Sequence, residues 1–247
     1  MLAFDREGSG RPVLLVHGLT ESRRAWDPIV AGLTCTHDVV AVDLRGHGES
    51  PRQAPYDLMS LVGDLAEVVD AEGLDRPLLV GHSLGGAVAT AYAALFSSSG
   101  VVDVDQPLQL GGFREVLLGL EPRLTGSEEE FTETMSGLFD AERGRLPDDE
   151  WQRLQSLRTL DQQVVLGVWA TVFDTPTEDL DRANESLLSG IKVPYLSLHG
   201  SDPGPGYATW LRGLVPTAEV EVWEGDGHYP HLVEPDRFLE RLTAFAR

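Results

Sequence analysis

The sequence is poor in cysteine, in basic residues and in long apolar runs, and each shortage excludes a class of protein. Cys35 is the only cysteine, so no intrachain disulfide can form and a reducing compartment is favoured. The 40 acidic residues outnumber the 19 basic ones and give a formal net charge of −21. This charge argues against nucleic acid, an anionic membrane or a strongly anionic substrate as partner. No apolar run approaches the ~20 residues of a membrane-spanning helix.

Sequence signals for cofactors and for secretion are missing as well. No Cys/His cluster has metal-ligand spacing, and neither G-x-x-x-x-G-K-S/T nor G-x-G-x-x-G before a helix occurs. The sequence therefore predicts no metal and no cofactor. The chain begins almost at once as a strand, without the basic and apolar regions of a secretion signal, so we expect a cytoplasmic protein. We expect Cys35 to be a small packing residue.

Short apolar runs alternate with helical patterns over most of the chain. The 247 residues and the 42% hydrophobic content suit one domain with an insertion. The runs lie at 12–16, 39–42, 78–80, 101–104 and 193–198. Their continuous apolar character predicts an α/β fold with a doubly wound, mostly parallel sheet. Only helical patterns fill 107–190, which we interpret as an all-helical cap inserted between core strands, with the core formed by 1–106 and 191–247.

The most informative segment is Gly81-His82-Ser83-Leu84-Gly85, a G-x-S-x-G sequence directly behind an apolar run. A serine on so sharp a strand-to-helix turn is held in strained backbone geometry with its hydroxyl exposed. The flanking glycines remove side chains that would clash. The pattern predicts that Ser83 is a nucleophile.

A serine nucleophile needs a histidine to accept its proton and a carboxylate to orient that histidine. His228, in a glycine-rich loop after a strand-like segment, is the predicted base, and His231 is its nearest competitor. Asp202, in the turn after the strand near 193–199, is the predicted acid. Asp105 ends another strand and stays open as the alternative, since only geometry decides which carboxylate reaches His228.

The predicted oxyanion hole combines two backbone N–H groups. One belongs to the residue after the nucleophile, and the other to the loop after an early strand. The buried strand that ends in His17-Gly18 nominates Leu19 for the second group, and Leu84 follows Ser83.

Together these motifs resemble the α/β-hydrolase superfamily, in particular its cap-bearing, esterase-like members. The matching segments are His17-Gly18, Asp43 to Ser50, Gly81 to Gly86, Gly200 to Asp202 and Gly227-His228. The chain order of serine, aspartate and histidine is the order of that superfamily. By resemblance, 43–50 is a structural loop near the site. One departure is that only one strand fits before Leu14, so we expect the usual first strand to be missing or very short.

The predicted cap should roof a substrate pocket above the strand ends. Apolar residues at helical spacing nominate Met135, Phe139, Trp169 and Phe173 as lining residues.

The sequence therefore predicts a cofactor-free serine hydrolase that cleaves a small neutral or apolar ester or lactone through an acyl-enzyme. C–C or amide bond hydrolysis and perhydrolysis are alternatives in the same fold, and a ligand-binding receptor with incidental hydrolysis also stays open. An ordinary imidazole pKa near 6.5 predicts that activity rises through roughly pH 6–7.5. The natural substrate and the oligomeric state are left open.

Overall fold

A seven-stranded sheet forms the centre of the computed structural model, which describes residues 1–245. Its strands are β1 (Phe4–Gly8), β2 (Arg11–Val16), β3 (His37–Val42), β4 (Leu78–His82), β5 (Gly100–Val104), β6 (Tyr195–His199) and β7 (Ala218–Val222). Their spatial order is β1-β3-β2-β4-β5-β6-β7, and only β1 runs antiparallel to its neighbour. The predicted mostly parallel sheet is confirmed, and within the described chain a single strand precedes β2.

Helices cover both faces of the sheet. Those of the core are α1 (Asp27–Leu33), α2 (Leu58–Ala71), α3 (Leu84–Leu95), α9 (Tyr207–Leu214), α10 (Pro230–Val233) and α11 (Pro235–Phe245). Successive side chains of a strand point to opposite faces, and β2 divides accordingly. Leu14 and Val16 pack with the layer that contains α2 and α3, whereas Val13 and Leu15 pack with the layer that contains α1 and α11. Because both faces are covered, the strand reads as one continuous apolar run.

Helices alone, called here the helical insertion, fill the described chain between β5 and β6. They are α4 (Gly111–Leu124), α5 (Glu128–Glu142), α6 (Asp148–Leu157), α7 (Gln162–Asp174) and α8 (Thr177–Leu188). Ser127 and Glu130 form a reciprocal capping box at the start of α5. The insertion has an apolar cluster of its own, around Phe131 and Met135, which Leu19 of the core joins. The insertion therefore packs over the end of the sheet where β2 finishes.

Cys35 is exposed in the turn between α1 and β3, so the expectation that it is a small packing residue is wrong. Within residues 1–245, no helix combines the length and the apolar character needed to cross a membrane. The same residues contain no group of three or more His, Cys, Asp or Glu side chains placed to hold a metal ion.

Candidate active site

Ser83 occupies a strained turn between β4 and α3. Its φ of 51° and ψ of −123° lie outside the conformations that a non-glycine residue favours, at a cost on the order of 1–3 kcal/mol. A β-carbon on Gly81 would overlap the carbonyl of Gly85, and a β-carbon on Gly85 would overlap the carbonyl of Val16. The two glycines of the G-x-S-x-G motif are therefore required for the turn to close against β2.

His228 meets a carboxylate across the sheet end. Its Nδ1 lies 2.7 Å from Oδ2 of Asp105. Since an ionised carboxylate only accepts hydrogen bonds, Nδ1 carries a proton, and in the neutral imidazole Nε2 is the nitrogen that can accept a proton. The other oxygen of Asp105 accepts a 2.8 Å bond from the backbone N–H of Gly200. Ser83, Asp105 and His228 all line one cavity.

The predicted acid, Asp202, does not contact His228. Its side chain is exposed, and its Oδ1 accepts a 2.9 Å bond from the N–H of Gly204 in the same turn. The chain has already left the strand end at this point, because β6 finishes at His199. Asp105 instead follows β5 directly, and β5 is the neighbour of β4, which leads into the serine. The assignment of Asp202 is wrong, and Asp105, the alternative, holds the position.

His231 lies away from the cavity that contains His228. It is buried against Trp26, with ring centroids 4.7 Å apart, and it does not line the cavity. Burial holds the pKa of His231 well below the usual value for an imidazole. Of the two candidate histidines, the structure brings only His228 together with Ser83 and Asp105.

The loop after β2 passes close to the serine. A β-carbon on Gly18 would lie 3.2 Å from Cβ of Ser83. Leu19 and Leu84, the predicted oxyanion-hole residues, both line the cavity. Leu84 is the first residue of α3, and N–H groups in the first turn of a helix have no acceptor within that helix. The placement of both residues suits the predicted role.

A cavity of about 840 Å³ separates the sheet end from the helical insertion. Met135, Phe139 and Trp169 line it as the sequence predicts. Phe173 does not line it and packs instead in the apolar cluster of the insertion, so that prediction is wrong. Four carboxylates line the cavity, those of Glu21, Asp57, Asp105 and Glu142, and the basic lining residues are His82 and His228. No lysine or arginine of the described chain lines this cavity directly.

Comparison with known proteins identifies the family of this chain. A family model described as the alpha/beta hydrolase family matches residues 13–241. The chain belongs to the alpha/beta hydrolase family. The resemblance inferred from the motifs is thereby confirmed.

Relatives of this alpha/beta hydrolase include proteins named as esterases. Pimeloyl-(acyl-carrier protein) methyl ester esterase of Vibrio atlanticus is 28% identical over 97% of this chain and 96% of its own length. A putative aryl esterase from Burkholderia cenocepacia has a TM-score of 0.79 at 26% identity, covering 100% of this chain and 94% of its own. An esterase from Exiguobacterium antarcticum has a TM-score of 0.81 over 99% of this chain and 95% of its own. At 21% identity, that likeness shows the fold alone.

Sequence reasoning missed Glu21 in this alpha/beta hydrolase. Glu21 is buried, and its Oε2 accepts a 3.0 Å bond from the N–H of Gly18 and lies 3.2 Å from Nδ1 of His82. His82 also lines the cavity, with its ring 4.6 Å from that of His228. Burial would raise the pKa of the Glu21 carboxyl, but the charge of His82 and its hydrogen bond hold that pKa below its usual range. The one sequence signal for Glu21 is its position three residues after Gly18.

Carboxylates control the proton affinity of His228. Burial by itself would lower the imidazole pKa, but the charges of Glu142, Asp105 and Glu21 outweigh burial and raise the pKa to about 9. Burial would likewise raise the pKa of Asp105, but the hydrogen bond and the charge of His228 hold it below the ordinary value. The site therefore stabilises a protonated imidazole beside an ionised carboxylate.

Proposed function

We propose that this alpha/beta hydrolase cleaves neutral carboxylic esters or lactones through an acyl-enzyme formed on Ser83. The observation that carries the proposal is the 2.7 Å contact between His228 Nδ1 and Asp105 Oδ2 in the cavity that also holds Ser83. This contact leaves Nε2 of His228 as the proton acceptor, which is the protonation pattern that a serine nucleophile requires.

In this proposal, Oγ of Ser83 attacks the carbonyl carbon while its proton passes to Nε2 of His228. Asp105 stabilises the resulting imidazolium, and the N–H groups of Leu19 and Leu84 hold the oxyanion. The imidazolium then protonates the leaving alcohol as the carbon–oxygen bond breaks. A water molecule, deprotonated by the same histidine, hydrolyses the acyl-enzyme and regenerates the serine. The helical insertion acts as the cap that the sequence predicts.

The charges around the cavity support a neutral substrate. An anionic acyl group would lose its hydration and meet the carboxylates of Glu142, Glu21 and Asp57. The basic side chains among the described lining residues, His82 and His228, are already paired with Glu21 and Asp105. The apolar side chains of the helical insertion suit an aliphatic or aromatic acyl group. The esterase names of the relatives support the cleavage of carboxylic esters.

Fluorophosphonate labelling and hydrolysis of neutral p-nitrophenyl esters test the proposal. Ser83→Ala should lose labelling and roughly 10⁴-fold in kcat, while its melting temperature changes by a few degrees at most. Ser201→Ala is the matched control, because Ser201 also lines the cavity and is exposed; it should retain both activities.

Two results would contradict the proposal. Substantial hydrolysis by purified Ser83→Ala would show that Ser83 is not the nucleophile. A folded wild-type protein that neither reacts with the probe nor hydrolyses any ester would favour the receptor alternative.

A p-nitrophenyl ester with a carboxylate on its acyl chain tests the substrate class. Its kcat/KM should be at least about tenfold lower than that of the neutral ester of equal length, and a factor of ten corresponds to roughly 1.4 kcal/mol of transition-state stabilisation.

A further inference from the structure

Residues 142–146, here called the insertion loop, pack against residues 225–228, here called the histidine loop. The N–H of His228 donates a 2.7 Å bond to the carbonyl of Glu142, and the N–H of Arg145 donates a 3.1 Å bond to the carbonyl of Gly225. The Arg145 guanidinium also pairs with the carboxylate of Asp226, which is fully buried. Two backbone hydrogen bonds and an ion pair therefore join the helical insertion to the segment that carries the proposed base.

The two loops touch backbone to backbone. Gly144 has a φ of +59°, and a β-carbon there would lie 2.5 Å from the carbonyl carbon of Asp226 and from the nitrogen of Gly227. A β-carbon on Gly227 would lie 2.5 Å from the carbonyl oxygen of Glu142. Neither loop can accept a larger residue at these contacts unless the loops separate.

On its other side the histidine loop contacts the turn that supports the carboxylate. A β-carbon on Gly200 would overlap the carbonyl of Gly227, and the N–H of Gly200 donates to Oδ1 of Asp105. The histidine loop therefore lies between the insertion loop and the backbone that orients Asp105. A shift of the insertion loop changes the distance between His228 and Asp105, because the histidine loop contacts both the insertion loop and the turn at Gly200 that binds Asp105.

We propose that the insertion loop is a positioning element for His228. By packing against the histidine loop, it holds the imidazole in contact with Asp105. This inference rests on the proposed function, since it assigns a role to the base of that reaction. The backbone of His228 is held at both ends: its N–H by Glu142, and its carbonyl by Nε2 of His82 at 2.8 Å. Loss of the first contact leaves the second as a pivot. A displacement of about 1 Å at a catalytic group can cost on the order of 10²-fold in rate.

Unseating the loop also changes the electrostatic surroundings of the imidazole. The titratable groups that face His228 are Glu142 from the insertion loop, Asp105 after β5, Glu21 after β2, His82 from β4, the neighbouring Tyr229 and the buried His231 of α10. Withdrawal of the insertion loop removes the charge of Glu142 and loosens the bond to Asp105. Both changes lower the imidazole pKa, so the pH dependence of kcat/KM reports on loop seating, whereas a general loss of stability would not change it.

The test compares two Gly→Ala variants. Gly144→Ala adds a methyl group at the contact between the loops, and Gly137→Ala adds one in α5 where nothing lies within 4 Å. With a neutral p-nitrophenyl ester, Gly144→Ala should lower kcat by about 10- to 100-fold, change KM by less than about threefold, and move the pH midpoint of kcat/KM toward 6.5. Gly137→Ala should match the wild type in all three quantities.

Arg145→Gln is the second variant, because the β-carbon of Gly144→Ala overlaps backbone atoms and burdens folding. It removes the ion pair with Asp226 and leaves both backbone hydrogen bonds in place, so a smaller loss of kcat with the same direction of pH shift is expected. The proposal is overturned if folded Gly144→Ala has the same kcat and the same pH midpoint as Gly137→Ala. A fall in the melting temperature of Gly144→Ala alone, with no change in kcat or pH midpoint, would overturn it as well. If Gly144→Ala does not fold, Arg145→Gln decides by the same criteria.

Titration of the His228 ring by NMR separates this inference from the proposed function. The measurement needs no substrate, so it reports on positioning even if the wild-type protein hydrolyses no ester. A ring pKa that is the same in the wild type and in both loop variants would overturn the positioning role while leaving the hydrolase proposal intact.

Discussion

Asp105 satisfies two requirements that few residues meet together. Its backbone has a φ of +54°, in the left-handed region where aspartate and asparagine are enriched among residues with a side chain. Its two carboxylate oxygens bind His228 Nδ1 and the N–H of Gly200. Because asparagine has the same shape and the same backbone tolerance, Asp105→Asn removes the charge while preserving the turn.

We expect Asp105→Asn to fold and to lose on the order of 10⁴-fold in kcat, because an amide can hold the imidazole in the wrong tautomer. Asp202→Asn should stay within about twofold of the wild type, since Asp202 contacts only its own turn. Steady-state kinetics on a neutral ester, with a thermal melt of each variant, measure both expectations. If Asp202→Asn is inactive and Asp105→Asn is active, Asp202 and not Asp105 is the carboxylate that supports His228.

The sequence could not decide between these two aspartates, and the reason is physical. Each follows an apolar strand and precedes a turn, so their local patterns are alike. What separates them is which strand lies beside β4 and how tightly the chain turns after it, and both depend on the assembled sheet. The placement of Ser83 and His228 at the cavity was predictable, because glycines at fixed offsets mark their turns.

Among secondary-structure elements, the strands were the most predictable, because a parallel strand covered on both faces is apolar throughout. The helices of the insertion were also predictable from their spacing. The residues of a helix that line the cavity could not be predicted in the same way, as α7 shows. Trp169 and Phe173 are four residues apart and share one stripe, yet only Trp169 lines the cavity. Spacing identifies an apolar face but cannot tell a cavity from a neighbouring helix.

This difference within α7 gives a matched pair of variants. Trp169→Ala should lower kcat/KM for long acyl chains by about tenfold or more and change it little for an acetyl ester, because apolar contact area is lost while the serine site is intact. Phe173→Ala should lower the melting temperature and leave the ratio of long-chain to acetyl kcat/KM unchanged. A series of p-nitrophenyl esters measures both. Equal loss of that ratio in the two variants would place Phe173 in the cavity after all.

At the scale of the whole molecule, the pKa of His228 depends on three separate parts of the chain: the end of β5, the loop after β2 and the helical insertion. Together their carboxylates raise it to about 9. The sequence could not predict this value, because Glu142 and Glu21 are remote from His228 along the chain. Because this pKa is raised in the folded protein, protonation of His228 increases the free energy of unfolding. The increase is fully present below about pH 6.5 and is lost as the pH rises through about 9.

The pH profile of activity should follow from the same shift. A base must be neutral to accept the serine proton, and the neutral fraction of His228 grows as the pH rises through about 9. We therefore expect kcat/KM to continue rising above pH 8, where an ordinary imidazole would already have reached its plateau. Glu142→Gln should move the midpoint to lower pH, whereas Glu128→Gln, at the exposed start of α5, should not. A plateau at pH 7.5 that both variants share would contradict this expectation.

The single thiol of the chain makes one further use of the molecule possible. Cys35 is exposed in the turn between α1 and β3 and does not line the cavity. A maleimide dye or biotin would attach there at one position per molecule and leave the serine, the imidazole and the carboxylates unmodified. The protein can therefore be immobilised in one orientation, or followed by single-molecule fluorescence, without any change to its sequence.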